Sequence, residues 1–249
     1  MMINLYSGSA SWPVRGIIFD KDGTILDFQH MWGRWTQILL EKLTGFGGEP
    51  DWHAALGIRA AGDTVVHDPD GPLAMASNEQ TIAILAWHLY REGLPWNRAV
   101  SLVSQAVMET NRELEELRPV QPMPGLLSFL ERCREAGIKM AVATSDDTAM
   151  AEQHLEWLGI RRYFQAVVGA DRVKRGKPHP DMAVLACLEL GLQPEEAVMI
   201  GDTKADIQMA AEAGMKAGIM IGGADSSGAS AHILSYDSLG ISGGGEENG

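Results

Sequence analysis

Val14-Arg15-Gly16-Ile17-Ile18-Phe19-Asp20-Lys21-Asp22-Gly23-Thr24 is the stretch that decides the fold. Val14–Phe19 is a short apolar, partly β-branched run, the pattern of a strand buried on both faces. It stops at two carboxylates two positions apart, followed by a glycine that permits a sharp backbone bend. Taken alone, Asp20–Thr24 also fits a solvated turn, because Asp and Gly favour turns. The rest of the chain weighs against that reading.

Four further apolar runs follow. Lys139–Ala143 ends at Thr144-Ser145, and Ala166–Val168 is a weaker third run. Ala197–Ile200 ends at Gly201-Asp202-Thr203, and Ala217–Ile221 ends at Gly222-Gly223. Helical patterns separate them: Leu126–Ala136, Thr148–Leu158, Pro180–Leu190 and Ala205–Ala213, stopped by Gly137, Gly159, Gly191 and Gly214. Repeated strand, helix and glycine predict an α/β fold, a doubly wound parallel sheet of Rossmann-like type. Such sheets bind ligands at the carboxyl ends of their strands. Asp20/Asp22, Thr144/Ser145 and Asp202/Asp206 therefore converge on one edge despite their distance in sequence. Asp206 follows Asp202 by one helical turn, and it also suits the first turn of a helix, where the dipole favours an acid.

The segment 28–118 breaks the pattern. Trp32–Leu43, Thr81–Arg91 and Arg98–Leu117 are helical in period, and the looser Gly57–Ser77 lies between them. This predicts a helical insertion after the first strand, with Pro119, Pro122 and Pro124 as the return linker. The expected organisation is an α/β core at 1–27 and 119–240, a helical insertion at 28–118, and a disordered Gly- and Glu-rich tail at 241–249.

Composition narrows the function. The 249 residues hold 33 acidic and 20 basic side chains, a net charge of −13. That field repels nucleic acid and anionic membrane surfaces. An anionic substrate then requires local cations. Cys133 and Cys187 sit in apolar helical patterns and read as small buried hydrophobes. No apolar run approaches a membrane span, and Met1–Gly16 carries no signal-peptide pattern. The expected address is the cytoplasm.

Asp20, Asp202 and Asp206 make an oxygen-only set without nearby Cys or His, which favours Mg²⁺ over zinc. Together, Asp20–Thr24, Thr144, Gly176-Lys177-Pro178-His179-Pro180-Asp181 and Gly201–Asp206 resemble the haloacid dehalogenase-like hydrolases, with phosphoglycolate phosphatase-type members the nearest look. The resemblance implies that Asp20 is a nucleophile and Mg²⁺ ligand. Asp22 is then the general acid/base, with its backbone carbonyl on the metal. Thr144, Ser145 and Lys177 hold phosphate, and Asp202 and Asp206 complete the metal site. An acid at position 22 points to phosphate-ester chemistry, because dehalogenating and carbon–phosphorus-cleaving members lack it.

The insertion resembles the helical cap of that family, a lid that selects substrate. Arg34, Arg59, His67, Arg91 and Arg98 are its candidate substrate readers, each set against a plain surface role. Trp32, Trp35, Trp87 and Trp96 read as cap core, and His154 and His179 as structural. The expected partner is a small phosphorylated metabolite, first of all 2-phosphoglycolate, and the expected assembly a monomer or homodimer. Two alternatives remain at this stage: a sugar-phosphate mutase of the same family, and a catalytically idle binding protein. The second has no need of Asp22.

Overall fold

The computed structural model describes residues 2–45, 51–61, 64–68, 71–222 and 228–243. The chain forms two compact units, one from Met1–Asp27 with Gln121–Gly249, the other from Phe28–Val120.

The first unit opens with strands β1 (Ile3–Ser7) and β2 (Ala10–Val14), which form an antiparallel hairpin before β3 (Gly16–Phe19). Val14 thus belongs to β2, and the first strand of the main sheet starts at Gly16. Pro13 sits in β2, an edge strand, where a missing N–H costs no ladder bond.

The second unit holds α1 (Phe28–Leu43), α2 (Trp52–Leu56), β4 (Ile58–Ala61), β5 (Thr64–His67), α3 (Pro72–Met75), α4 (Asn78–Arg91) and α5 (Trp96–Leu117). Trp35, Leu39 and Leu43 recur every four residues along α1 and pack with Leu85, Ala86 and Leu89 of α4 and Ala99, Val103 and Val107 of α5. That periodic stripe makes these helices amphipathic and gives the unit its own core. The looser stretch contains an antiparallel pair, β4 with β5, that periodicity missed. Four-residue strands are too short for alternation to register. Its residues 62–63 and 69–70 lie outside the described ones. Trp35 is buried, but Trp87 and Trp96 are 51% and 47% exposed, which corrects their reading as core. They flank Tyr90 on the surface, with ring centroids 5.6 and 6.2 Å from it.

The chain returns to the first unit with α6 (Leu126–Glu135), β6 (Lys139–Ala143), α7 (Thr148–Trp157), β7 (Ala166–Val168), α8 (Asp181–Leu190), β8 (Ala197–Gly201), α9 (Lys204–Glu212), β9 (Ala217–Ile221), β10 (Ala231–Ile233) and β11 (Gly240–Gly243). Six strands form a parallel sheet in the order β10-β9-β8-β3-β6-β7. From β3 the chain passes to β6 and β7 on one side, then crosses back to β8 on the other, so the switch point lies beside β3, where such sheets bind ligands. Ile18, Ala141, Met199, Met182, Ala186 and Met209 form one core cluster with α8 and α9. Phe19, Phe129, Phe164 and Tyr236 form an aromatic cluster. Each such buried side chain contributes about 1.5–3 kcal/mol.

Strand β10 was not foreseen, because Ala231-His232-Ile233 is not an apolar run and only its pairing with β9 defines it. The expected disordered tail is corrected at its start, because Ile241–Gly243 pair antiparallel with Ile3–Leu5 of β1. Glycine-rich composition suggested disorder, but the backbone ladder needs no side chains. Residues 244–249 and Gly223 lie outside the described ones. Both cysteines are buried and free. No helix among the described residues is long and apolar enough to cross a membrane.

Candidate active site at the carboxyl edge of the sheet

Register brings three strand ends level. Phe19 lies opposite both Val142 of β6 and Ile200 of β8. Asp20 therefore emerges between Ala143 and Gly201, and its N–H donates to the Ile200 carbonyl at 2.8 Å. The loop beyond it is tightly wound. The Lys21 carbonyl accepts from Ile25 N and Leu26 N at 2.8 and 2.9 Å, and Gly23 N donates to the Leu26 carbonyl at 2.8 Å. Gly23 has φ +73°, and a Cβ there would overlap the Asp202 carboxylate. Gly201 is equally constrained, since a Cβ would collide with Asp206. Both glycines let carboxylate-bearing loops approach closely.

Asp20, Asp202 and Asp206 each offer an oxygen, and these oxygens lie within 4.8 Å of one another. Asp206 is fully buried in the first turn of α9. Its Oδ2 accepts from Thr203 N at 3.1 Å and Thr203 Oγ1 at 2.6 Å, a reciprocal capping arrangement. The capping reading of Asp206 thus holds together with its place in the carboxylate cluster. Its Oδ1 lies 2.7 Å from Lys177 Nζ. Thr24 Oγ1 reaches Asp202 Oδ1 at 3.4 Å.

Lys177 comes from the loop before α8, through a cis bond to Pro178. Its ammonium pairs with both Asp20 Oδ1 and Asp206 Oδ1, and its side chain is only 5% exposed. Thr144 is buried at the end of β6 and accepts from Asp146 N at 3.2 Å, leaving its hydroxyl hydrogen to donate. Ser145 follows it, partly exposed. Lys174 and Arg175 are exposed, and Arg175 pairs with Asp181 at 2.7 Å.

Burial pushes the Asp20 carboxyl up to about 7 against the lowering effect of Lys177, with Asp206 and Asp22 adding repulsion. Burial, then Asp20 and Asp206, push Asp202 well above the usual carboxylate range. Burial would lower Lys177, but Asp20 and Asp206 hold its ammonium above the usual range. One ammonium does not balance three crowded carboxylates. A divalent cation fits: the donors are all oxygen, and one ammonium leaves part of their negative charge uncompensated.

Asp22 lies beside a second buried lysine that the sequence did not single out. Lys21 is fully buried, with Nζ 2.6 Å from Asp22 Oδ2, 3.0 Å from Asp146 Oδ2 and 3.2 Å from His154 Nδ1. Only its position between the two leading carboxylates could have flagged it. Tyr236 was also missed. Its buried hydroxyl donates to the Thr24 carbonyl at 3.1 Å, and its ring stacks on Phe129 at 5.2 Å.

In the second unit, Arg34, Arg59, Arg91 and Arg98 are exposed. Arg98 lines a cavity of about 310 Å³ with Lys42, Gln105 and Glu109. His67 is partly buried, stacks on Phe28 at 3.8 Å and bonds Gln29 at 2.8 Å.

Over residues 14–214 the chain matches the family model for haloacid dehalogenase-like hydrolases. It is 33% identical over 211 residues to fructose-1-phosphate phosphatase YqaB of Escherichia coli (strain K12), covering 81% of this chain and 94% of the relative. It is 29% identical over 210 residues to a phosphoglycolate phosphatase of Pectobacterium atrosepticum, covering 82% and 78%. A crystal structure of a predicted phosphoglycolate phosphatase from Haemophilus somnus shares the fold, with TM-score 0.69, 18% identity and coverage of 90% of this chain and 95% of that one. The family match runs from the end of β2 to just past α9, and one relative is covered almost end to end; the chain belongs to the haloacid dehalogenase-like hydrolases.

Proposed function

We propose that this protein is a Mg²⁺-dependent phosphatase of small phosphorylated metabolites, working through a phosphorylated Asp20. The observation that carries the reading is the convergence of Asp20, Asp202, Asp206 and Lys177 at the switch-point edge of the sheet. Phosphoglycolate is the first candidate substrate, after the relatives that carry its name, and fructose 1-phosphate the second.

Asp20, Asp202 and Asp206 would hold the Mg²⁺ ion, with the Asp22 backbone carbonyl. When bound, the ion supplies positive charge against the phosphoryl oxygens and the Asp20 carboxylate. Lys177 adds charge on the Asp20 side, while the Thr144 hydroxyl and the Ser145 backbone N–H donate to phosphoryl oxygens. An Asp20 oxygen attacks phosphorus as the ester oxygen departs, and that oxygen takes a proton from the Asp22 carboxyl. The Asp22 carboxylate then takes a proton from water. The water oxygen attacks phosphorus, the Asp20–phosphate bond breaks, and inorganic phosphate leaves with Asp20 restored.

Substrate choice is assigned to the 28–118 unit, as a cap. Replacing polar residues across 57–77 would then change kcat/KM for metabolites more than for a small aryl phosphate. The overall test is a panel of phosphorylated metabolites with Mg²⁺, scored for inorganic phosphate and for isomerised sugar phosphate. Phosphate release supports the reading. Isomer without phosphate indicates a mutase, and no turnover of any member indicates a binding protein.

A further inference from the structure

We propose that Lys21, braced by Asp146 and His154, is the positioning residue that fixes the carboxyl of Asp22. The proposal rests on the reading of Asp22 as the general acid. A lysine buried completely is uncommon and needs its charge matched. Lys21 meets that requirement in three directions, through Asp22 Oδ2, Asp146 Oδ2 and His154 Nδ1. An ammonium has donors only, so His154 Nδ1 accepts and the ring is neutral.

Each support is itself held. The Lys21 backbone carbonyl carries two hydrogen bonds from Ile25 and Leu26. Asp146 is pinned at both ends of its backbone, by Thr144 Oγ1 on its N–H and by Ala170 N on its carbonyl. The ammonium is the charge partner of Asp146 Oδ2 at 3.0 Å. His154 is 3% exposed in the middle of α7, with its ring 5.1 Å from that of Trp157. The strand-end loops after β3 and β6 and helix α7 thus meet at one ammonium. Its carboxylate partners are Asp22 and Asp146, not the Asp20 and Asp206 that Lys177 meets, so Lys21 does not repeat the work of Lys177. It holds Asp22 in one orientation, which a proton donor to the leaving oxygen requires.

This role is separable from plain structural support by the leaving group. Phenyl, para-nitrophenyl and dinitrophenyl phosphate need progressively less protonation of the departing oxygen. Their kcat/KM reports the step that phosphorylates Asp20. Asp22→Asn is expected to lose about 10²–10⁴-fold on phenyl phosphate and far less on dinitrophenyl phosphate. Lys21→Met is expected to follow the same order with a smaller loss, about 10–100-fold on phenyl phosphate. Asp146→Asn keeps the shape and the Lys21–Asp22 pair, and is expected to show the same order more weakly. Calorimetric titration with Mg²⁺ alone should leave the affinity of both Lys21→Met and Asp146→Asn near that of wild type. If Lys21→Met does not fold, the double variant Lys21→Met/Asp146→Asn, which leaves no unmatched partner charge between those two groups, and Asp146→Asn decide the matter. Equal loss on all three esters, or no loss, overturns the positioning role. If Asp22→Asn itself lacks leaving-group dependence, the general-acid reading fails instead.

Discussion

The sheet edge carries two buried lysines, and they differ in what they leave undone. Lys177 bridges Asp20 and Asp206, and Asp202 crowds against both acids. Lys21 bridges Asp22 and Asp146 and bonds a neutral histidine. Burial alone would lower the Lys21 ammonium, but Asp146 and Asp22 hold it above its usual range. The first cluster has carboxylate charge in excess, which suits a region that receives a cation. The second sets one ammonium against two carboxylates, a smaller excess, with a neutral histidine beside it, which suits a scaffold. Each buried lysine faces two carboxylates, and the third acid, Asp202, beside Asp20 and Asp206 distinguishes the two clusters.

The sharpest way to break this comparison is to remove each ammonium in turn. Lys177→Met should cost about 10²–10³-fold in kcat/KM, the usual loss for one donor to developing charge. That loss should be alike for phenyl and dinitrophenyl phosphate, in contrast to Lys21→Met. A leaving-group-dependent loss in Lys177→Met would merge the two roles.

Cation response sharpens the same contrast. Mg²⁺ at a hundred times its dissociation constant should stabilise the folded protein by about 2.7 kcal/mol. Thermal denaturation with and without Mg²⁺ measures this. Asp202→Asn should abolish most of the response, and Asp146→Asn should retain it. A full response in Asp202→Asn would move the cation elsewhere.

The smallest effect concerns His154. Burial, helped by Lys21, pushes its ring down to about 3 from 6.5, although Asp22 pulls upward. The folded protein keeps this histidine neutral while the unfolded chain protonates it. The stability it contributes is complete above about pH 6.5 and is lost as pH falls toward 3. At pH 5 the loss is about 2 kcal/mol. His154→Gln retains an acceptor for Lys21 and does not titrate. Urea unfolding at pH 7 and pH 5 should therefore show a smaller acid loss in His154→Gln than in wild type. Equal losses would mean that His154 is protonated in the fold.

The same contrast explains what the sequence could reveal. The acids of the Lys177 cluster stand at separate βα junctions, each announced by an apolar run and a sharp stop. Local pattern and sheet topology pointed to Asp20, Thr144, Asp202 and Asp206 at strand ends, whereas Lys177 entered only through the family resemblance. The Lys21 cluster has no such announcement. Lys21 lies in a stretch that also fits a solvated turn, until the winding of residues 21–26 turns it inward, and no sequence pattern singles out Asp146. His154, set down as structural, is a bonding partner of that lysine. Short strands escaped for a related reason. In β1, β2, β4, β5, β10 and β11 the ladder partner, not the side-chain period, defines the strand. Trp87 and Trp96 show the reverse limit, since helical spacing does not say which face a helix buries.

The central claim is that Asp20 accepts the phosphoryl group, and the direct measurement is phosphate release by Asp20→Asn beside wild type. Both proteins would be tested with Mg²⁺ against para-nitrophenyl phosphate and the best metabolite of the panel, with circular dichroism and thermal denaturation verifying the fold. An amide cannot take a phosphoryl group as the carboxylate does, so the loss should exceed the ~10²–10⁴-fold attached to acid/base help alone. Turnover within tenfold of wild type in a folded Asp20→Asn protein would contradict the account.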